Sequence, residues 1–360
     1  MQADFLITGG AGFIGCALSA ELIREHPGGG PSIVAVDSLH PQVHPQQDRP
    51  AAMPEPVQLE VMDACDADSW DRLLRVVRPT TVVHLAAETG TGQSLELPTR
   101  HTHVNVTGTA QMLEAFERAG HLPDHIVLAS SRAIYGEGQW RDTADGHVFS
   151  PGNRSVDQLV RGQFAIIAPS GTEAEPLAHN QAQTPANPAS VYGVTKLAQE
   201  QILALWCAAR GIPLTALRLQ NVYGAGQSPH NPYTGIVGLF HRVAAAGLPI
   251  EVYEDGLIGR DFIYIDDVAR CFAKAVQDPP SRSRVLDVGT GNATTVLESA
   301  KTIAAMYNAP DPQISGAFRH GDIRWAVADA RPADEAFGIK AQITFEEGSR
   351  RLAEWLRTEA

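Results

Sequence analysis

The chain has 360 residues and a formal net charge of −13, long enough for a nucleotide-binding core plus a smaller lobe. That acidic balance offers no basic face to nucleic acid and no attraction to an anionic membrane, although a few local arginines can still hold a small anion. No run of about 18 apolar residues could span a bilayer, and no basic-then-apolar leader precedes the first strand, so the expectation is a cytoplasmic protein.

Residues 5–8 form a short apolar run stopped by glycine, and 11–24 read as an amphipathic helix. Residues 32–36 make a second strand ending in Asp37. A third covers 57–61, with a helix around 69–77, and a fourth covers 81–85. A long helix is expected over 104–119 and a strand over 125–130. Apolar strands alternating with helical stretches predict βαβ units and a parallel sheet. The rhythm breaks over 136–189, which is rich in Gly, Pro, Asn, Gln and Ser and has no sustained periodicity. A loop this long is usually functional or mobile. It reads as an insertion over the site, the alternative being a surface excursion with no role. Helical spacing resumes over 191–210, and a strand follows at 215–219. Further on, 267–276 is helical, 285–288 strand-like and 295–306 helical. The expected fold is α/β: a Rossmann-type doubly wound parallel sheet over 1–223, carrying the insertion. A smaller substrate-binding lobe over 224–360 is interleaved with it.

Three motifs carry chemistry. Gly9-Gly10-Ala11-Gly12-Phe13-Ile14-Gly15 lies directly between a strand and a helix. Gly9 allows a tight turn, Gly12 lets backbone approach a pyrophosphate, and Gly15 lets the helix pack closely. The helix N-terminus then offers free N–H groups to phosphate. Asp37, closing the second strand, would accept both hydroxyls of an adenosine ribose and repel a 2′-phosphate, which predicts NAD over NADP. Asp63 and Ala64 follow the third strand. There a carboxylate can meet the adenine amino group or simply cap a helix. In His84-Leu85-Ala86-Ala87 the small residues at Ala86 and Ala87 would let backbone lie against the dinucleotide.

The second motif is Tyr192-Gly193-Val194-Thr195-Lys196. Residues four apart share a helix face, and a neighbouring ammonium can lower the pKa of a phenol that is otherwise a poor base. The third, Ser130-Ser131-Arg132-Ala133-Ile134-Tyr135-Gly136, sits at a strand end, where open α/β sheets bind ligands. Ser131 there could hydrogen-bond a reacting oxygen. The cysteines at 16, 65, 207 and 271 are scattered, with no C-x-x-C pair, and read as reduced thiols with no metal role.

Taken together, GGAGFIG, HLAA, SSRAIYG, YGVTK, RLQNVYG and RDFIYIDDVA resemble an extended short-chain dehydrogenase/reductase of the NAD-dependent nucleotide-sugar epimerase/dehydratase family. The resemblance runs from about residue 3 to 355. It implies Ser131, Tyr192 and Lys196 as the catalytic set, with Asn105 near the site. Gly9, Gly12, Phe13, Ile14, Gly15, Asp37, Asp63, Ala64, Leu85, Ala86 and Ala87, together with Tyr192 and Lys196, are the implied NAD contacts. Arg132, Asn221, Arg260, Arg319 and Asp322 are the implied contacts to a nucleotide-diphosphate sugar, with Arg260 and Arg319 converging on the diphosphate. Dehydratases of the family carry an acidic pair where this chain has Arg132 and Ala133, and decarboxylases carry Glu at the second of these, so neither chemistry has its acid.

The long insertion, Thr91-Gly92-Gln93-Ser94 and Asn231-Pro232-Tyr233-Thr234-Gly235-Ile236 resemble a subgroup of dTDP-L-rhamnose 4-epimerase-like proteins. The implied function is 4-epimerisation of a dTDP-deoxyhexose. The rivals are a 4-keto-sugar reductase or dehydrogenase with exchangeable cofactor, and a non-catalytic NAD sensor. The resemblance also implies a homodimer. Val104, Met112, Leu113, Phe116, Leu197, Ile202, Leu205 and Trp206 would supply apolar area for core and interface together.

Overall fold

A computed structural model describes residues 1–26, 29–228, 235–319 and 321–358. The main sheet has seven strands: β1 (Gln2–Thr8), β2 (Ile33–Asp37), β3 (Gln58–Val61), β4 (Arg78–His84), β5 (His125–Ser131), β6 (Leu214–Leu219) and β7 (Arg284–Val288). Their order is β7-β6-β5-β4-β1-β2-β3, and every pairing is parallel. Parallel strands need covered faces, and β5 and β6 are buried at every position. The order reverses between β1 and β4, so their C-terminal ends open a crevice in which this architecture places ligands.

The helices flanking it include α1 (Phe13–Arg24), α2 (Ala67–Val76), α3 (Gly108–Ala119), α4 (Val191–Ala208) and α5 (Ile265–Gln277). Leu18, Leu22, Val268 and Phe272 of α1 and α5 pack on one sheet face. Trp70, Leu73, Met112, Phe116, Leu203 and Cys207 of α2, α3 and α4 pack on the other. Long apolar side chains recurring every three or four residues supply both layers.

Two local features, the start of β1 and the start of the helix expected over 104–119, depart from the sequence reading. Strand β1 begins at Gln2, because Gln2 and Ala3 already pair with Arg78 and Pro79. The helix expected over 104–119 opens with a π-helical turn, His103–Thr107, and two short helices, Thr91–Glu96 and Pro98–Thr102, precede it. The chain beyond 223 divides its loyalties. Strand β7 returns to the main sheet beside β6, whereas helices Ile236–Ala245, Val296–Tyr307 and Phe345–Thr358 close a separate core around Phe240, Phe262, Ile303 and Leu352. Residues 231–234, part of the motif read as subgroup-specific, lie outside the described residues.

The insertion is an ordered unit. Trp140–Arg141 pairs antiparallel with Val148–Phe149 and with Glu175–Pro176. A small core of Trp140, Ile166, Ala168 and Ala174 is closed by Phe149 and by Trp325 from the C-terminal lobe. Strands of two residues are too short to show alternation, so this unit leaves no periodic signal in the sequence. Its backbone is also stitched to that lobe: His179 N donates to Val327 O at 2.7 Å, and Asp329 N to His179 O at 2.8 Å. Among the described residues, no helix is long and apolar enough to cross a membrane.

Candidate active site

The turn after β1 is built around contacts that only glycine permits. Gly9 has φ +66°, and a Cβ there would lie 2.8 Å from Ala86 N. A Cβ on Gly15 would lie 2.5 Å from Gly10 O. Gly10, which the motif reading left idle, presses against β2: a Cβ there would sit 2.6 Å from the Ala35 Cβ. Asp37 ties turn to strand, its carboxylate accepting from Ala11 N at 3.1 Å and Leu39 N at 3.0 Å. Gly12 is the N-cap of α1, with no side-chain cap. The first N–H groups of the helix therefore face a cleft of about 410 Å³, lined by Gly9, Gly12, Phe13, Ile14, Gly15, Leu85 and Ala87 on this side. A glycine cradle at a helix N-terminus, opening into a cleft of ligand size, fits a dinucleotide diphosphate.

Asp63 is exposed and accepts from Cys65 N at 2.8 Å. The helix cap that was its alternative reading belongs to Asp66, which accepts from Asp68 N. Ala64 faces inward, its carbonyl accepting from Trp70 Nε1 at 2.8 Å. Ala86 N donates to Thr8 Oγ1 at 3.2 Å, closing the seam between β1 and β4.

Ser131, Tyr192 and Lys196 line the same cleft. Ser131 is the last residue of β5, and its Oγ accepts from Ala133 N at 3.1 Å, starting the 3-10 turn Arg132–Tyr135. Ser190 caps α4 by accepting from Gly193 N at 3.1 Å, which puts Tyr192 in the first helical turn. Gly193 allows that turn to touch the one after β5, since a Cβ there would lie 2.5 Å from Ala133 O. The Tyr192 phenol and the Ser131 hydroxyl consequently lie near one another at the cleft. Burial pushes the Tyr192 pKa up, while the neighbouring Ser131 hydroxyl and the Arg132 charge pull it down.

Lys196 and Glu200 continue the same helix face at four-residue steps. Burial pushes the Lys196 ammonium down to about 7 against the opposing pull of Glu200. The Lys196 Nζ donates to Gln199 Oε1, and Gln199 Nε2 donates to Thr109 Oγ1 at 2.9 Å. Thr109 Oγ1 is also 2.9 Å from His84 Nε2, whose other ring nitrogen meets Thr8 Oγ1 at 2.7 Å. Burial, and then the Lys196 charge, push the His84 pKa down to about 3, so this imidazole is neutral. Glu200 fixes the floor: it takes Ser130 Oγ at 2.8 Å and a bidentate contact from Arg218. Arg218 NH1 donates in turn to Tyr135 OH at 2.7 Å, and Tyr135 OH donates to Asp287. Asn105, within the π-helical turn, grips residue 88 through both backbone atoms and donates to Thr195 Oγ1 at 2.9 Å. Glu200, Gln199 and Gly193 were not singled out from sequence, although the four-residue step from Lys196 pointed to Glu200.

Beyond Ser131 a small polar recess continues the cleft, lined by Thr91, Arg132, Ser190, Arg260 and Asp322 among others. Neither Arg132 nor Arg260 has an ion pair among the described residues. Burial lowers both pKa values, and at Arg132 the neighbouring Arg260 charge lowers it further. Asp322 and Glu137 oppose this at both arginines, and since a guanidinium keeps its proton in a protein, the recess holds two buried cations that could bind an anion. Nearby, Asn221 Oδ1 and both side-chain polar atoms of Gln220 are buried without a hydrogen-bond partner, and both residues line the cleft. Arg319, expected at the diphosphate, is exposed and stacked over the Tyr253 ring at 5.1 Å.

Residues 5–154 and 165–289 match the NAD dependent epimerase/dehydratase family. The chain is 46% identical over 358 residues to dTDP-L-rhamnose 4-epimerase of Burkholderia thailandensis, covering 98% of this chain and 95% of that one. Among solved structures it resembles UDP-glucose 4-epimerase of Thermus thermophilus in complex with NAD, with a TM-score of 0.78 and 27% identity over 100% of both chains. It also resembles UDP-glucose 4-epimerase of Thermotoga maritima with UDP-glucose, with a TM-score of 0.76 and 26% identity over 100% of this chain and 99% of that one.

Proposed function

The chain belongs to the NAD-dependent epimerase/dehydratase family, and we propose that it is a nucleotide-sugar 4-epimerase acting on a dTDP-6-deoxyhexose such as dTDP-L-rhamnose. The observation that carries this reading is the convergence of Ser131, Tyr192 and Lys196 on one cleft that runs on into the Arg132–Arg260 recess. NAD, when bound along the glycine turn, supplies a reversible hydride sink for the sugar C4.

Tyr192 takes the proton from the C4 hydroxyl as hydride departs, and returns it when the carbon is reduced again. Ser131 holds that oxygen through the hydroxyl that also meets Tyr192. Lys196 puts a positive charge one helical turn from the phenol, favouring its ionised form, and offers a donor to the cofactor's ribose. Arg132 and Arg260 grip the diphosphate by charge-assisted hydrogen bonds, with Asn221 beside them. An anchored diphosphate lets the sugar turn about it and present the other face. Arg132 and Ala133 follow Ser131 in place of the acidic pair of the family's dehydratases, so the acid of that dehydration route is missing at those positions.

We also propose NAD over NADP, from the carboxylate of Asp37, and a homodimer. Of the apolar residues expected to serve core and interface, Met112, Leu113 and Phe116 turn inward. Leu205 and Val194 on α4 and Leu95 and Leu97 before the π-helical turn remain exposed, which supports pairing through that side. The functional test is incubation with dTDP-L-rhamnose, followed by proton NMR. Conversion of the large H3–H4 coupling to a small one without added reductant supports epimerisation. Net NADH accumulation would instead indicate a dehydrogenase.

A further inference from the structure

The insertion contributes two buried charges to a place where its length alone gives no reason to expect them. Arg154 and Glu137 are ion-paired at 3.3 Å, and Arg154 NH1 reaches Glu254 of the C-terminal lobe at 2.7 Å. All three side chains are at most 2% exposed. Arg324 completes the cluster, meeting Glu254 at 3.2 Å and Asp255 at 2.6 Å. Buried charges of this kind are costly in themselves and are seldom the most effective way to stabilise a core. Their placement therefore asks for another purpose.

That purpose is legible in what they hold. Three consecutive residues, Asp322, Ile323 and Arg324, form one wall beside the anion recess. Each is gripped at its backbone by a buried charged side chain. Arg154 NH2 donates to Asp322 O at 2.8 Å. Arg260 NH2 donates to Ile323 O at 2.9 Å. Glu137 Oε2 accepts from Arg324 N at 2.8 Å. Arg260 commits its other terminal nitrogen to Gly259 O at 2.8 Å, so the direction of its guanidinium depends on where Ile323 O stands. Two of the three grips come from the insertion, and the third comes from Arg260, which lines the recess. Gly136 and Ala189, the ends of the insertion, line the recess as well.

We propose that the insertion is a clasp that sets the diphosphate pocket, with Arg154 and Glu137 as positioning residues that hold the 322–324 wall and, through it, aim Arg260. Neither residue touches the reacting atoms. Their effect falls on affinity for the nucleotide diphosphate rather than on proton or hydride transfer, because Ser131, Tyr192 and Lys196 stand on β5 and α4. The inference rests on the nucleotide-sugar reading above.

The test measures dTDP binding to the NAD-loaded enzyme by calorimetry, with KM and kcat for the nucleotide sugar in parallel. Three variants are compared: Arg154→Met, Arg154→Lys, and the pair Arg154→Met with Glu254→Gln, which removes a positive and a negative charge together. The clasp predicts that each weakens dTDP binding, about tenfold or more for the two Met variants and less for Lys. The KM should rise in step, kcat should stay within about twofold, and NAD affinity should not change. Binding of dTDP at wild-type affinity by a folded Met variant would overturn the proposal. So would loss of the NAD-bound fold in all three, which would mark the cluster as structural only. A wild-type enzyme that fails to bind dTDP at all would strike the nucleotide-sugar reading instead.

Discussion

Replacing Lys196 by Met should make this protein more stable while destroying its activity. In the fold, burial lowers the Lys196 pKa from an ordinary 10.5 to about 7. At roughly 1.4 kcal/mol per pH unit, keeping that side chain charged below pH 7 costs the fold up to about 5 kcal/mol. Methionine of similar length removes the cost. It also leaves Gln199 Oε1 without its donor, a loss of about 1–3 kcal/mol, so a net gain of about 2–4 kcal/mol is expected below pH 7. The sign can be followed with pH. Between pH 7 and 10.5 the unfolded chain binds the proton that folded Lys196 has released, so wild-type stability rises across that window. The variant lacks the group and does not share the rise. Urea denaturation of both cofactor-free proteins from pH 6 to 10 should show the variant ahead at pH 6, with the gap closing toward pH 10. Parallel curves, or a variant less stable at pH 6, would refute the picture of a buried, strained ammonium held for function.

Tyr192→Phe should lower turnover by about 10²–10⁴ while NAD remains bound, checked by steady-state kinetics and cofactor absorbance. Gly193→Ala should cost about 10² in kcat, because its methyl would lie 2.5 Å from Ala133 O and 2.9 Å from Pro188 Cβ and would lift Tyr192 away from Ser131. NAD affinity measured by fluorescence should be unaffected. Asp37→Ala should lower the preference for NAD over NADP, read by calorimetry with both cofactors. An unchanged ratio would remove Asp37 from the ribose site.

The sheet was legible because parallel strands buried on both faces must be apolar runs, as in Ile126-Val127-Leu128, and the glycine turn because Gly9 and Gly15 occupy positions that reject a Cβ. The Tyr192–Lys196 face followed from helical spacing. What escaped were features set by long-range pairing. Arg154 and Glu137 look like ordinary surface charges in sequence, since nothing local announces that Glu254, 100 positions beyond Arg154, and Arg324, 187 beyond Glu137, will meet them. The stacking of the Arg319 guanidinium on the Tyr253 face, 66 positions away, is likewise invisible locally. The π-helical turn at Asn105 interrupts a pattern that reads as one continuous helix.

The proposed reaction turns on hydride removal from C4 and its return to the opposite face within one site. It is tested most directly by dTDP-L-rhamnose carrying deuterium at C4, converted in ordinary water and followed by NMR and mass spectrometry. The C4 epimer should keep the label, with no solvent proton at C4 and no net NADH. Epimer with the label washed out to solvent would contradict it.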